Sequence, residues 1–123
     1  MAVLQVNGGR GVVTGRLLGT TQAIPQYGAW GTGAGTTGAT DTTLFTEASE
    51  ARVAGTMTQQ TTSTTNDTLQ VVWTQTANGS KTITNAGLFD ASSSGTLFMK
   101  GDFAGIALAV NDSITFTAKI QYT

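Results

Sequence analysis

The chain predicts an all-β fold: an antiparallel β-sandwich, jelly-roll or immunoglobulin-like, with a glycine-rich extended arm at its N-terminus. Three observations carry this reading. About one residue in five is threonine, whose β-branched side chain suits a pleated surface and whose hydroxyl solvates an exposed face without charge. The C-terminal residues alternate strictly, with Ile114, Phe116, Ala118, Ile120 and Tyr122 between Ser113, Thr115, Thr117, Lys119 and Gln121. Turn-forming pairs such as Asn66-Asp67, Asn78-Gly79 and Asn111-Asp112 recur at close intervals.

Taken in order, residues 1–42 are poor in bulky side chains, and Gly28 to Thr42 contains five glycines without periodicity. This stretch reads as an extended arm or long loop, and 43–123 as the sandwich domain. Thr43 to Arg52 predicts one or two turns of helix, with Leu44, Ala48 and Ala51 on one face and Glu47 and Glu50 in the early turns. Arg52 to Thr65 is an extended, threonine-rich segment that ends at Asn66-Asp67. Leu69, Val71 and Trp73 alternate with Gln70, Val72 and Thr74, which places Trp73 in the core. Asn78-Gly79 has the residue types of a two-residue hairpin turn, so Lys81 to Thr84 should return antiparallel. Ala86 to Phe89 continues as a short buried segment, Asp90 to Gly95 is a loop, and Thr96 to Met99 is a strand closed by Gly101-Asp102. Ile106, Leu108 and Val110 lead through Asn111-Asp112 into the last strand, an amphipathic hairpin. Six or seven short strands result, the pattern of a sandwich. The last strand is expected to be central or well covered, and Phe116→Ala to cost about 3 kcal/mol.

The composition excludes several kinds of chemistry. There is no histidine and no cysteine, and only 11% of residues are charged, so the general acid–base and nucleophile inventory of a hydrolase is thin. A net charge of −1 with six scattered Lys and Arg residues argues against nucleic acid, which requires clustered cations. Gly33-Ala-Gly-Thr-Thr-Gly38 spells a dinucleotide fingerprint, but Tyr27-Gly-Ala-Trp30 precedes it, Ala39-Thr-Asp-Thr-Thr follows it where a helix is required, and no second βαβ unit appears. Asp41, Glu47 and Glu50 lack calcium-loop spacing. Asn66, Asn78 and Asn111 each begin a glycosylation sequon, yet each also sits at a turn. No basic region followed by an apolar run opens the chain, and no window has the length of a membrane-spanning helix, so synthesis in a cytoplasm is expected. No catalytic residue, cofactor or metal ligand is therefore expected. Pro25, Tyr27 and Trp30 are the candidate interaction anchors. Aromatics set among glycines either dock into a groove on a neighbour or plug the core of their own domain.

Tyr27-Gly-Ala-Trp-Gly-Thr-Gly33, Thr43-Leu-Phe-Thr-Glu47, Glu50-Ala-Arg-Val53, Ile83-Thr-Asn-Ala-Gly-Leu-Phe-Asp90, Gly95-Thr-Leu97 and Asp112-Ser-Ile-Thr-Phe116 occur in this order. Together they resemble a family of small tailed-bacteriophage virion proteins, with an acidic residue commonly in place of Asn85. The resemblance implies a capsid decoration (cement) protein on the outer surface of the head, made in the host cytoplasm, with the major capsid protein as partner and no catalytic residues. Similar segments also occur in tail-fibre-like proteins. That leaves a tail or receptor-binding component, its threonine-rich face on host polysaccharide, as the alternative. Near-zero charge and uncertain cover for Leu97, Met99 and Phe103 suggest self-association. A homotrimer on three-fold sites is expected, and a dimer on two-fold sites follows the same logic.

Overall fold

A computed structural model describes residues 2–20 and 23–123; Met1, Thr21 and Gln22, all within the expected arm, lie outside the described residues. The elements run β1 (Val3–Gln5), α1 (Asn7–Leu18), β2 (Tyr27–Gly31), β3 (Val53–Ala54), β4 (Thr56–Gln60), β5 (Thr68–Thr76), β6 (Lys81–Phe89), β7 (Leu97–Leu108) and β8 (Ser113–Gln121). Two antiparallel sheets face each other, one in the order β1-β7-β6-β2-β3 and the other β4-β5-β8. The all-β sandwich is therefore observed. Between the sheets lie Trp30, Val71, Trp73, Ile83, Leu88 and Phe98, all buried. The far face of the larger sheet is covered too. There Val6, Ala29, Leu44, Phe89 and Leu97 form a second apolar cluster beneath the 32–52 loop. A strand covered on both faces has no reason to alternate, which accounts for the continuous burial of β6 from Asn85 onward.

The described residues of the 1–42 segment do not form a separate arm. β1 pairs with β7, and β2 pairs along its whole length with β6, Trp30 opposite Ala86. Among the described residues the helix also lies here, at α1, and not at Thr43–Arg52. Four glycines between Asn7 and Leu18 give α1 low intrinsic propensity, so packing must hold it. Gly9 makes that packing possible, because a Cβ there would sit 2.0 Å from the Phe98 carbonyl oxygen. Gly19 ends the helix in the left-handed region at φ 85°, donating its N–H to the Arg16 carbonyl, while Thr20 donates to Gly15. The Thr43–Arg52 backbone bonds to other elements. Phe45 N–H donates to the Asn85 side chain, Gly33 N–H to the Phe45 carbonyl, and Ala48 N–H to the Trp30 carbonyl. With these groups engaged across the fold, no helical ladder forms.

Both expected hairpins prove to be crossings between sheets. β5 belongs to the smaller sheet and β6 to the larger, and the Asn78-Gly79 pair between them takes no positive φ. Asn78 N–H is instead held by a Glu50 carboxylate oxygen at 2.9 Å. β7 and β8 likewise lie in different sheets, joined through Asn111 at φ 71°. The two crossings are bonded together, Ala77 N–H to the Asp112 carbonyl and Asn111 N–H to the Ala77 carbonyl, each at 2.8 Å. The hairpins that do form are β4–β5, closed by the Asp67 turn, and β6–β7, closed by the expected Asp90–Gly95 loop. β7 runs on through Gly101-Asp102, where closure was expected, to Leu108. A third crossing occurs at Gly55 between β3 and β4, where a side chain would meet Val71 and the Val72 carbonyl.

The last strand is not central. β8 lies at the edge of the smaller sheet, and its inward residues Ile114, Phe116, Ala118 and Ile120 are only half-buried. Phe116 stacks on Trp73 with ring centroids 4.9 Å apart and meets Trp30 edge-on at 6.2 Å. Those contacts keep Phe116→Ala costly, but partial exposure lowers the expected loss to about 2 kcal/mol. Denaturant unfolding of the variant checks it: an unchanged midpoint would mean the aromatic stack contributes nothing.

Candidate functional site

All seven carboxylates of the chain accept hydrogen bonds from within the fold. Glu50 receives Trp30 Nε1–H and Asn78 N–H, both at 2.9 Å, and pairs with Lys81. Burial opposes its ionisation, yet the Lys81, Trp30 and Asn78 bonds prevail and hold its carboxyl down at about 2. Glu47 engages Arg52 through both oxygens, at 2.8 and 2.9 Å. The same guanidinium donates to the Ala91 and Ser94 carbonyls and lies 3.6 Å from the Phe89 ring centroid. Asp41 accepts Gly38 N–H and bonds Lys100, both at 3.0 Å. Lys100, whose side chain is fully buried, also donates to the Thr43 carbonyl and sits over the Phe45 ring.

The remaining acids organise turns. Asp67 collects Thr62, Ser63 and Thr64 N–H groups, Asp90 takes Thr96 N–H, Asp102 takes Thr37 N–H, and Asp112 takes Ala109 N–H. The Gly38 amide and then Lys100 lower the Asp41 carboxyl, the Thr62 and Thr64 amides that of Asp67, and the Thr37 amide that of Asp102. A depressed folded-state value contributes stability above the unfolded-state range, and that stability is lost as pH falls toward the folded value. No side chain here ordinarily titrates between pH 5 and 8. The thermal midpoint should therefore stay level from about pH 8 to 5 and fall steadily below about pH 4. A midpoint that instead drops between pH 7 and 5 would contradict the assignment of these carboxylates as braces.

Asn85, which stood out in the sequence only as a departure from a commonly acidic position, is a structural residue. It is fully buried, accepts Phe45 N–H at 3.0 Å and donates to the Phe45 carbonyl at 3.1 Å. Only a side chain that both donates and accepts can complete this clamp, and an ionised acid cannot. Asn85→Asp should destabilise the fold by about 2–3 kcal/mol at neutral pH. The loss should shrink below about pH 4, where a neutral acid regains a donor. Paired denaturant titrations at the two pH values read the difference; an equal loss at both would reject the donor argument. The signal for this position was a lone amide at the start of an otherwise apolar buried run.

The segments that suggested a family resemblance largely converge on this clamped region. β2, the 32–52 loop, β6 and the β6–β7 loop are joined by Glu50, Arg52, Asn85 and the Thr84 hydroxyl, which bonds the Gly33 carbonyl. They build scaffold. Of the three candidate anchors, Trp30 is 1% exposed and part of the inter-sheet core, Pro25 is buried, and Tyr27 is half-buried against the second cluster. In this chain Trp30 plugs its own core. Leu97 and Met99, whose cover was uncertain, are buried within the chain, while Phe103 is half-buried.

What faces outward is of two kinds. The outer face of the smaller sheet is hydroxyl-rich, with Thr74 bonded to Thr115 at 2.7 Å and Thr76 to Ser113 at 2.6 Å across β5 and β8. Beside it the sandwich gapes. A cleft of about 350 Å³ opens between the sheets, lined by Val3, Trp73, Met99, Phe103, Phe116 and Ala118. Among the described residues, no group of three or more acidic side chains is placed to hold a metal ion. No helix among them is long and apolar enough to cross a membrane. No family model, curated protein or solved structure matches this chain.

Proposed function

We propose that the chain is a structural virion protein of a tailed bacteriophage, a capsid decoration protein that binds the outer surface of the assembled head through the major capsid protein. The observation that carries this reading is the engagement of every carboxylate in bracing the fold. The outward faces include a hydroxyl-rich sheet and an apolar edge. Such surfaces pack against another protein with little cost of burying charge. A small rigid domain laid over subunit junctions adds contact area at each one, stabilising the shell without chemistry. The family resemblance points the same way, and its motif residues form scaffold, as a packing module requires.

The rival reading, a tail or receptor-binding component, draws on the Thr74–Thr115 and Thr76–Ser113 rows, which offer donors and acceptors to a polysaccharide. Particle cryo-electron microscopy distinguishes the two. Density for this chain repeated over the head surface supports decoration; density confined to the tail overturns it in favour of the rival.

A further inference from the structure

Among the described residues, β8 is the longest strand at the end of a sheet. β1, β3 and β4, the other strands at sheet margins, are three, two and five residues long, and shortness is itself a guard against stray pairing. β8 is different. Its nine residues pair with β5 in unbroken register from Ser113 to Gln121, and no strand lies on its other side. It carries no proline, no bulge and a single charge, Lys119, so the usual devices that protect an edge are nearly absent. The neighbouring margin of β7 is also open. β1 covers only Met99 to Gly101, while Ala104, Gly105, Ile106 and Ala107 are exposed. The apolar cleft lies between these two margins.

We propose that β8 is a self-association edge: two copies of this chain pair β8 antiparallel to β8 about a two-fold axis at Thr117, joining their three-stranded sheets into one. The pattern of β8 reads the same in both directions. Centred on Thr117, Ile114 faces the partner's Ile120 and Phe116 faces the partner's Ala118, a large side chain against a small one. Ser113 faces the partner's Gln121, and Thr115 faces the partner's Lys119. All nine residues are matched, apolar residues of both strands stay on the inner face, and no like charges meet. A register centred on Lys119 would set the two lysines opposite each other, so the charge that remains selects against that alternative. An isologous edge closes at two copies, and a net charge of −1 per chain opposes the approach little. The contact also continues the apolar row of Ile114, Phe116, Ala118 and Ile120 beside the open cleft. This inference concerns the isolated protein and is independent of where in a particle it resides.

Light scattering of the purified full chain should give twice its 12.6 kDa mass. A monomer at sub-millimolar concentration overturns the proposal, as does a trimer. Because the chain contains no cysteine, single thiols report the geometry without background. Thr117→Cys should form a disulfide-linked dimer under mild oxidation, whereas Thr58→Cys on β4 should not; equal linkage of the two rejects the edge. Charge tests the register. Thr115→Lys places a cation opposite the partner's Lys119 and should weaken dimerisation roughly tenfold, while Thr115→Glu should strengthen it by a similar factor. Both substitutions remove the same Thr74 hydrogen bond, so a merely structural effect would move both in one direction, and that result overturns the register. A variant that fails to fold leaves the Thr117→Cys arm to decide.

Discussion

A chain cut back to residues 43–123 should fail to fold, giving a disordered far-ultraviolet spectrum and collapsed amide dispersion. Glycine content makes residues 1–42 look dispensable, because ordering glycines costs more backbone entropy than ordering other residues. The strand order says otherwise. β2 lies between β6 and β3, so its removal exposes the ladder edge of β6 along Asn85 to Phe89 and leaves β3 without a neighbour in its sheet. Loss of β1 and α1 uncovers β7 as well, and with them go Val6 and Val12, both buried. Trp30 would vanish from between the sheets. Burying one large apolar side chain contributes roughly 1.5–3 kcal/mol, and a domain's whole margin is roughly 5–15 kcal/mol. Several such side chains and three strand pairings cannot be removed within that margin. A 43–123 fragment that unfolds cooperatively would show the N-terminal segment to be a separable arm after all.

Four of the five glycines between Gly28 and Thr42, which suggested looseness, are positions of close approach. A Cβ at Gly28 would lie 2.3 Å from Trp73 ring carbons, at Gly31 2.4 Å from the Phe45 carbonyl oxygen, and at Gly33 2.6 Å from the Thr46 hydroxyl. Composition alone does not separate a glycine that frees the backbone from one that makes room for a neighbour. What was legible in the sequence were features with a local cause. Alternation placed β5 and β8, the Asp67 and Asp90–Gly95 turns fell where their residues indicate, and Trp73 went to the core. What was not legible depended on partners distant in the chain. Asn78-Gly79 has the residue types of a hairpin, but whether the flanking strands share a sheet is decided by what each packs against. Glu50, twenty-eight residues earlier, captures the Asn78 amide that a hairpin would have used differently. The Asn85 clamp and the open margin of β8 have the same character, since a sequence shows that a strand is amphipathic and not whether it has one neighbour or two.

Trp30→Ala should lower the stability of the chain by about 4 kcal/mol, in the range for removing a large buried aromatic. For a chain of this size that corresponds to a fall in thermal midpoint of about 10–20 °C. Trp30 is 1% exposed, meets Phe116 edge-on, and donates its indole N–H to Glu50. Truncation leaves a cavity beneath Phe116 and removes one of the bonds that stabilise the buried Glu50 carboxylate, although Lys81 and the Asn78 amide still hold it. Trp30→Phe separates the two contributions. It retains much of the ring volume but cannot donate, so it should cost less, about 2 kcal/mol, most of it from the lost bond to a charged group. Combining Trp30→Phe with Glu50→Gln should then be less damaging than the sum of the two single losses, because each removes the same contact. Denaturant unfolding of the four chains measures that coupling. A strictly additive result would mean the indole–carboxylate bond contributes nothing, and an unchanged midpoint for Trp30→Ala would return Trp30 to the role of an anchor for a neighbouring molecule.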